Sequence, residues 1–305
     1  ATASRTSLMD LETGGWDAEL CDLFGVPMDC LPVIGPTSGD LGELPGGARL
    51  AASIVDQQAA LYGHGCHTPG AAKVTFGTGA FVQCLTGTLV RPERPGPLPT
   101  VAWQKAGEPV SYALDGGVYA AASAVNWARG LGLFQDYAEI STFSARPAID
   151  RGIAFVPSLA GLGCPHWNRA ARGAWLGLGL GDGKPDMMQA LLEGVALRTA
   201  EVLAAMQGLL GFDGPVSVDG GLSRNGYFVQ FLSEVAGHDL FLADETEQTA
   251  VGLAWMAAES LAIARPEAHH GRLVRAQDTC RSARLGVFAA ARRAVEGYAE
   301  SVAAR

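Results

Sequence analysis

The chain has 305 residues, of which 48% are hydrophobic and 17% are charged; this length allows two domains of ordinary size, and this balance argues against a disordered protein. Acidic residues outnumber basic ones by 31 to 22, giving a net charge of −9, and no run of Lys and Arg stands out, which argues against nucleic-acid or anionic membrane partners. Six scattered cysteines without a CxxC pair argue against a disulfide framework or zinc ribbon and favour reduced thiols in a cytoplasmic protein.

The first 65 residues are predicted to hold little regular structure. Residues 16–24, "WDAELCDLF", have apolar side chains at helical spacing and end before Gly25, a favoured residue after a helix. A short strand is predicted at residues 51–55, followed by a helix from about Gln57. Gly and Pro residues in "GHGCHTPGAA" predict a domain boundary, which divides the chain into residues 1–65 and 66–305. The abrupt polar start "ATASRTS" leads us to expect a further segment upstream.

Strands and helices alternate in the second region. "AKVTFGTGAFVQCLTG" predicts two strands joined at Gly77-Thr78-Gly79. Further strands are predicted at residues 111–114, 174–180, 216–218 and 240–243, and helices at residues 118–131, 185–210, 227–236, 249–263 and from about residue 285. This alternation predicts a layered α/β fold. No uncharged apolar run reaches the roughly 20 residues of a membrane span, and no signal peptide is recognised.

Asp56 in "SIVDQQAALYGHG" allows two interpretations. Asp is a favoured N-cap, because its carboxylate accepts backbone N–H groups of the first helical turn. An Asp at the end of a strand can also serve as a base that a substrate hydroxyl reaches. The two roles are compatible, since a capping carboxylate can still present an oxygen to a cleft.

Three further stretches could contact a nucleotide. In "TFGTGAF" two glycines flank Thr78, leaving N–H groups and a hydroxyl for an anion, although an ordinary hairpin turn has the same pattern. In "VSVDGGLSRNG" a strand leads through Asp219 and two glycines into a helix, which suits either a nucleotide or a plain connecting loop. In "GGVYAAASAVNW" small side chains permit close packing of a flat ligand or of another helix. Neither glycine pattern is a Walker A loop or a GxGxxG fingerprint.

Taken together, the motifs "ASRTSLMDLETGGWDAELCDLFGVPMDCLP", "DQQAALYGHG", "AKVTFGTGAF", "CPHWNRAARGAWLGL" and "VDGGLSRNGYFVQFLSEVAG" resemble the later part of an FGGY-family carbohydrate kinase, over residues 3 to about 257. The resemblance implies an actin-like ATPase (ribonuclease-H-like) fold, in which residues 1–65 end the first domain and residues 66–305 form the second, nucleotide-binding domain. It also implies that the family's N-terminal half, which supplies a phosphate loop and further polyol contacts, lies outside this chain.

The resemblance implies roles for three residues on the substrate side. Asp56 matches the general base that takes the proton from the attacking hydroxyl, and Gln57 matches a residue that contacts the polyol. Phe81 matches an aromatic wall against the polyol carbons. The implied reaction is ATP-dependent phosphorylation of a small polyol, with glycerol giving glycerol 3-phosphate. Val55 replaces a glycine of the family beside the base, which keeps another polyol or a ketose sugar open as substrate.

On the nucleotide side, the resemblance assigns Thr78 to the ATP phosphates and Gly221 and Asn225 to contacts on the strand-to-helix loop. Ala122 and Asn126 occupy nucleotide-binding positions where the family has glycine and glutamine. ATP and Mg²⁺ are the implied cofactors, with Mg²⁺ bridging the phosphates and no protein residue assigned as its ligand. A homo-oligomer is left open, and a non-catalytic nucleotide-binding fragment is the alternative from another functional class.

Overall fold

The computed structural model describes residues 1–264, 270–277 and 280–303. The helices are α1 (Ala18–Phe24), α2 (Asp56–Gly63), α3 (Ala122–Gly130), α4 (Lys184–Gln207), α5 (Gly226–Ala236), α6 (Gln248–Ser260) and α7 (Arg281–Ala303). The strands are β1 (Ala72–Phe76), β2 (Ala80–Gly87), β3 (Leu98–Trp103), β4 (Ser111–Val118), β5 (Ala154–Val156), β6 (Ala174–Leu176), β7 (Val216–Gly220), β8 (Leu240–Ala243) and β9 (Gly271–Val274). The predicted α/β class is confirmed.

Seven strands form one sheet in the order β3-β4-β2-β1-β7-β8-β9, and β5 pairs with β6 separately. Strand β1 is antiparallel to β2 and parallel to β7, which is in turn parallel to β8. The carboxyl ends of β1, β7 and β8 therefore meet at one edge of the sheet. In α/β proteins this edge is the usual place for a ligand.

The two faces of the sheet differ in chemistry because side chains alternate along each strand. Ala72, Val74 and Phe76 of β1 belong to the main hydrophobic core, which also includes buried residues of α4 and α5. Lys73 and Thr75 point to the opposite face, where Lys73 contacts helix α2. A second, smaller core on that face joins α2 and α6 to strands β2, β3 and β4 through Leu61, Tyr62, Leu85, Ala102, Trp103, Ala113 and Met256. The sheet is thus covered by helices on both faces.

Some predicted elements differ from the observed ones. Residues 51–55 do not form a strand; Ala52 makes only an isolated bridge with Ser38, flanked by two backbone hydrogen bonds, from Ser53 to Thr37 and from Gly39 to Ala51. Asp219 and Gly220, predicted to lie in a loop, are the last residues of β7. Strands β3, β5 and β9 were not predicted.

Four cysteines are buried and two, Cys30 and Cys280, are exposed; all six are free thiols. Within the described residues, no helix is long and apolar enough to cross a membrane. The predicted boundary between residues 1–65 and 66–305 stays a prediction.

Candidate functional site

Asp56 is the first residue of α2, and Val55 rather than Asp56 occupies the N-cap position. Oδ1 of Asp56 accepts the N–H of Gln57 at 2.7 Å, so the carboxylate satisfies one of the donors of the first turn. The side chain is exposed, which leaves the second oxygen open to a ligand. The expected role of Asp56 as the N-cap is therefore wrong, and its role towards a substrate stays a prediction.

Gln57 is held from beneath by a residue that the sequence motifs did not single out. The Lys73 ammonium donates to Oε1 of Gln57 at 2.6 Å and to Oγ1 of Thr75 at 2.9 Å. Burial lowers the pKa of Lys73 to about 8, although the negative charge of Asp219 opposes this. The sequence signal was the alternation in "AKVTF", which puts Lys73 and Thr75 on the same face of an otherwise apolar strand.

Asp219 lies beside this lysine on the neighbouring strand β7. Nε2 of His64 is 3.3 Å from Oδ2 of Asp219, and Nδ1 of His64 is 2.7 Å from the Ser217 hydroxyl. Burial would raise the pKa of Asp219, but the hydrogen bond and charge of His64, with the charge of Lys73, lower it overall. Burial also lowers the pKa of His64. A polar cluster of Gln57, His64, Lys73, Thr75, Ser217 and Asp219 thus lies between α2 and the sheet.

Phe81 stands on the same face of the sheet as this cluster. It lies opposite Thr75 on β1 and opposite Gly117 on β4. Its ring is 39% exposed, which is unusual for a phenylalanine in a central strand and leaves an apolar surface for a ligand. Lys73 therefore contacts Gln57 and Thr75, and Thr75 is the cross-strand neighbour of Phe81.

Thr78 is exposed in the turn between β1 and β2. Its carbonyl oxygen accepts the N–H groups of Ala121 and Ser123 and the Ser123 hydroxyl, which ties the turn to the start of α3. Gly79 is sterically required, because a Cβ there would lie 2.6 Å from the Val118 carbonyl oxygen. The turn is thus a fixed structure whose hydroxyl faces outward.

The other four predicted nucleotide residues line one cavity of about 440 Å³: Ala122, Asn126, Gly221 and Asn225. Its remaining walls come from Val125, Tyr137, Ile140, Ser141, Leu222 and Arg224. Apolar walls with a few polar groups suit a flat heteroaromatic ring. Neither Thr78 nor the predicted substrate residues line this cavity. Tyr137 and Ile140 were missed because they belong to a short connecting segment without a recognisable motif.

Two of the cavity's polar side chains are already hydrogen-bonded within the protein. Oδ1 of Asn225 accepts the N–H of Phe228 as the cap of α5, while Nδ2 donates to the Ile140 carbonyl oxygen at 2.7 Å. Oδ1 of Asn126 accepts from the Tyr137 hydroxyl at 2.8 Å. Asn225 therefore builds the wall of the cavity and joins α5 to the Tyr137 segment.

A second cavity, of about 450 Å³, shares Gly221 and Arg224 with the first and extends to Asp219. Gly220 lines it with φ +90°, and a Cβ there would lie 2.2 Å from the Phe76 carbonyl oxygen. Only glycine fits, so the backbone is bare where β7 ends. Both cavities lie at the carboxyl ends of the parallel strands. Among the described residues, no group of three or more His, Cys, Asp or Glu side chains is arranged to hold a metal ion.

Comparison with known proteins agrees with this geometry. The chain is 39% identical over 265 residues to a glycerol kinase of Bdellovibrio bacteriovorus, covering 84% of this chain and 54% of that protein. It is 41% identical over 264 residues to a glycerol kinase of Thermus brockianus, covering 83% and 52%. The chain thus spans about half the length of the curated relatives it matches.

Solved structures share the fold. The crystal structure of Plasmodium falciparum glycerol kinase with ADP superposes with a TM-score of 0.82 at 26% identity, covering 94% of this chain and 61% of that one. A xylulose kinase from Rhodospirillum rubrum, at 20% identity, has a TM-score of 0.78 over 96% of this chain and 63% of its own. The expected actin-like ATPase fold is confirmed. The sequence model of the C-terminal domain of the FGGY family of carbohydrate kinases matches residues 72–261, and the chain belongs to this family.

Proposed function

We propose that this chain takes part in the ATP-dependent phosphorylation of a small polyol, with glycerol giving glycerol 3-phosphate. The observation that carries the proposal is the position of Asp56, whose exposed carboxylate stands at the start of α2 next to a glutamine anchored from beneath. Residues from separate segments also converge on one cavity at the ligand-binding edge of the sheet. The relatives named glycerol kinase support glycerol as the substrate.

In the proposed mechanism, Asp56 accepts the proton of a polyol hydroxyl while that oxygen attacks the γ-phosphorus of ATP. A new phosphorus–oxygen bond forms, and the bond to the leaving ADP breaks. Such transfers depend mainly on positioning and on stabilisation of charge. Gln57 and Phe81 hold the polyol, and Thr78 with the bare backbone at Gly220 and Gly221 faces the phosphates.

Magnesium belongs to the proposal as the ion that would offset the negative charge of the ATP phosphates when bound. The chain carries a net charge of −9, so ATP arrives more readily when its charge is partly neutralised. A cytoplasmic location is proposed with the same function.

Two alternatives stay open. Val55 flanks Asp56 with a branched side chain where a smaller one would leave more room, which favours testing other polyols and ketoses. A non-catalytic nucleotide-binding protein is the alternative from another class, because the chain covers only about half of its relatives' length.

The test is ADP release from Mg-ATP with glycerol, erythritol, ribitol and xylulose offered separately. Glycerol-dependent turnover supports the proposal, and turnover with another of the four redirects it to that substrate. Asp56→Asn is expected to reduce turnover by at least about 100-fold, because a general base contributes roughly 10²–10⁴-fold, while ATP binding is retained. Nucleotide binding without turnover for any of the four favours the binding protein.

Asp17→Asn is the matched control. Asp17 caps helix α1 by accepting the N–H of Leu20, and asparagine preserves such a cap. The control removes one carboxylate from a helix start that lines neither cavity of the candidate site, so its turnover should equal that of the parent. Equal losses in both variants would contradict the assigned role of Asp56.

A further inference from the structure

Lys73 is a charged residue that the proposed mechanism does not use. Its side chain is completely buried on the central strand β1, between β2 and β7. A buried ammonium is costly unless its donors are satisfied. The donors reach Gln57 on α2 and Thr75 on the same strand, at 2.6 Å and 2.9 Å. Because Lys73 is buried, it can act on a ligand only through a neighbour.

The contact with Lys73 fixes which way the Gln57 amide points. An ammonium group has only donors, so the amide atom that it touches must be the carbonyl oxygen. The Gln57 NH2 group then faces away from Lys73. Its Nε2 makes no hydrogen bond with a described residue, and it is not among the buried polar atoms that lack a partner. This donor is therefore not fully buried, and the neighbouring Asp56 is exposed.

Rigidity distinguishes Lys73 from an ordinary surface partner. Strand β1 is hydrogen-bonded on both sides, to β2 and to β7. The ammonium therefore holds Gln57 relative to the strand that leads into the Thr78 turn. A side chain at the first turn of a helix would otherwise keep much of its rotamer freedom.

We infer that Lys73 is a positioning residue, which locks the Gln57 amide so that its NH2 group donates to an oxygen of the bound polyol. This inference rests on the proposed function. Asp56 then accepts a hydrogen bond from the reacting hydroxyl, and the adjacent Gln57 donates one to another oxygen of the substrate. A substrate that lacks the second oxygen gains nothing from Lys73.

The contact itself is tested by thermal unfolding of the 305-residue chain, which requires no turnover. Gln57→Glu places a carboxylate against the ammonium, so it should be better tolerated with Lys73 present than after Lys73→Met. The change in unfolding temperature caused by Gln57→Glu should differ by about 3 °C or more between the two backgrounds, which a double-mutant cycle measures. The same Gln57→Glu exchange should be additive with Lys105→Met, which removes a different lysine, paired with Glu259. Additivity with Lys73→Met as well would overturn the contact.

The positioning role is tested by steady-state kinetics with glycerol. Lys73→Met should raise the KM for glycerol about tenfold and leave the KM for Mg-ATP within about twofold. In a Gln57→Ala background, Lys73→Met should add no further increase. A lysine needed only for folding would lower the amount of active enzyme, and hence the apparent kcat, without changing the KM for glycerol. That result, or a further increase in the Gln57→Ala background, would overturn the inference. If no polyol is turned over, the proposed function and the polyol role both fail, while the unfolding cycle still decides the Lys73–Gln57 contact.

Discussion

Glu193 of α4 is a buried residue whose carboxyl group has a structural role. Its two oxygens accept the N–H groups of Ala148 and Ile149, each at 2.8 Å, and the Tyr227 hydroxyl also hydrogen-bonds to it. Burial raises the pKa of Glu193 to about 7, although these hydrogen bonds favour the charged form. The Glu193 side chain thus connects the segment at residues 148–149 to α4 and α5. Its charge is expected to change near neutral pH.

This carboxyl group should make stability depend on pH. Between the ordinary value of 4.5 and about 7, the folded protein retains a proton that the unfolded chain has released. The free energy of unfolding should therefore fall as the pH rises through this interval, by about 3 kcal/mol for this group. Urea unfolding of the parent and of Glu193→Gln at pH 5, 6, 7 and 8 measures this fall in the free energy of unfolding. The variant should lack the part of the fall that comes from Glu193. Parallel curves for the two proteins would contradict the raised pKa.

At the scale of elements, helices α2 and α6 cross with their backbones in contact. A Cβ at Gly252 would lie 1.8 Å from the Ala59 carbonyl oxygen, and one at Gly63 would lie 2.1 Å from the Gln248 carbonyl oxygen. Helix α6 buries only Gln248, Gly252 and Met256, which form one narrow stripe along the helix. The crossing sets the direction in which α2 presents Asp56.

Gly252→Ala should accordingly destabilise the fold by about 1–3 kcal/mol, because the helices must separate to admit the methyl group. Gly286→Ala on α7 is the matched control, since nothing lies within 4 Å of a Cβ there; it should stabilise the protein by roughly 0.5–1 kcal/mol. Urea unfolding of both variants and of the parent gives the two changes in the free energy of unfolding. If Gly252→Ala does not destabilise the protein, helices α2 and α6 are not in backbone contact.

Elements with strong local signals were predictable from the sequence. Helix α1 has Asp17 as its cap and Gly25 in the left-handed conformation after its last residue, and both residues are typical of helix ends. The hairpin of β1 and β2 follows from Gly79 and the flanking alternation. Strand β3, whose pairing with the next strand β4 is irregular near Val101, carries Pro99, which weakens the strand signal in its own sequence.

The candidate site was predictable where a motif is continuous along the chain. The two glycine motifs and Asp56 were found in this way. Lys73 and His64 were not, because each acquires its meaning from partners on other elements: Gln57 on α2 for the lysine, and Asp219 on β7 for the histidine. Tertiary burial, which no local pattern encodes, turns these two residues from ordinary polar positions into parts of a network.

At the scale of the whole molecule, the last described helix is part of the core although the family model ends at residue 261. Phe288 and Val295 of α7 are buried in the main core. Arg284 forms ion pairs with Asp150 and Glu234, and the Arg292 guanidinium lies 3.0 Å from Glu201 on α4. Helix α7 therefore closes the α4 and α5 side of the sheet and belongs to the same folding unit.

Because the proposed nucleotide cavity combines α3, the Tyr137 segment and the loop after β7, a ligand there should stabilise the molecule as a whole. ADP at 100 times its dissociation constant adds about 2.7 kcal/mol, so we expect the unfolding temperature to rise by about 5 °C. Ala122→Trp should place an indole in the cavity and reduce this rise, whereas Ala290→Trp, at an exposed position on α7, should preserve it. Thermal scans of both variants and of the parent, with and without ADP, measure this rise. An undiminished rise in Ala122→Trp would place the nucleotide elsewhere, because Ala122 lines this cavity of about 440 Å³ and an indole there takes part of the space that the nucleotide needs.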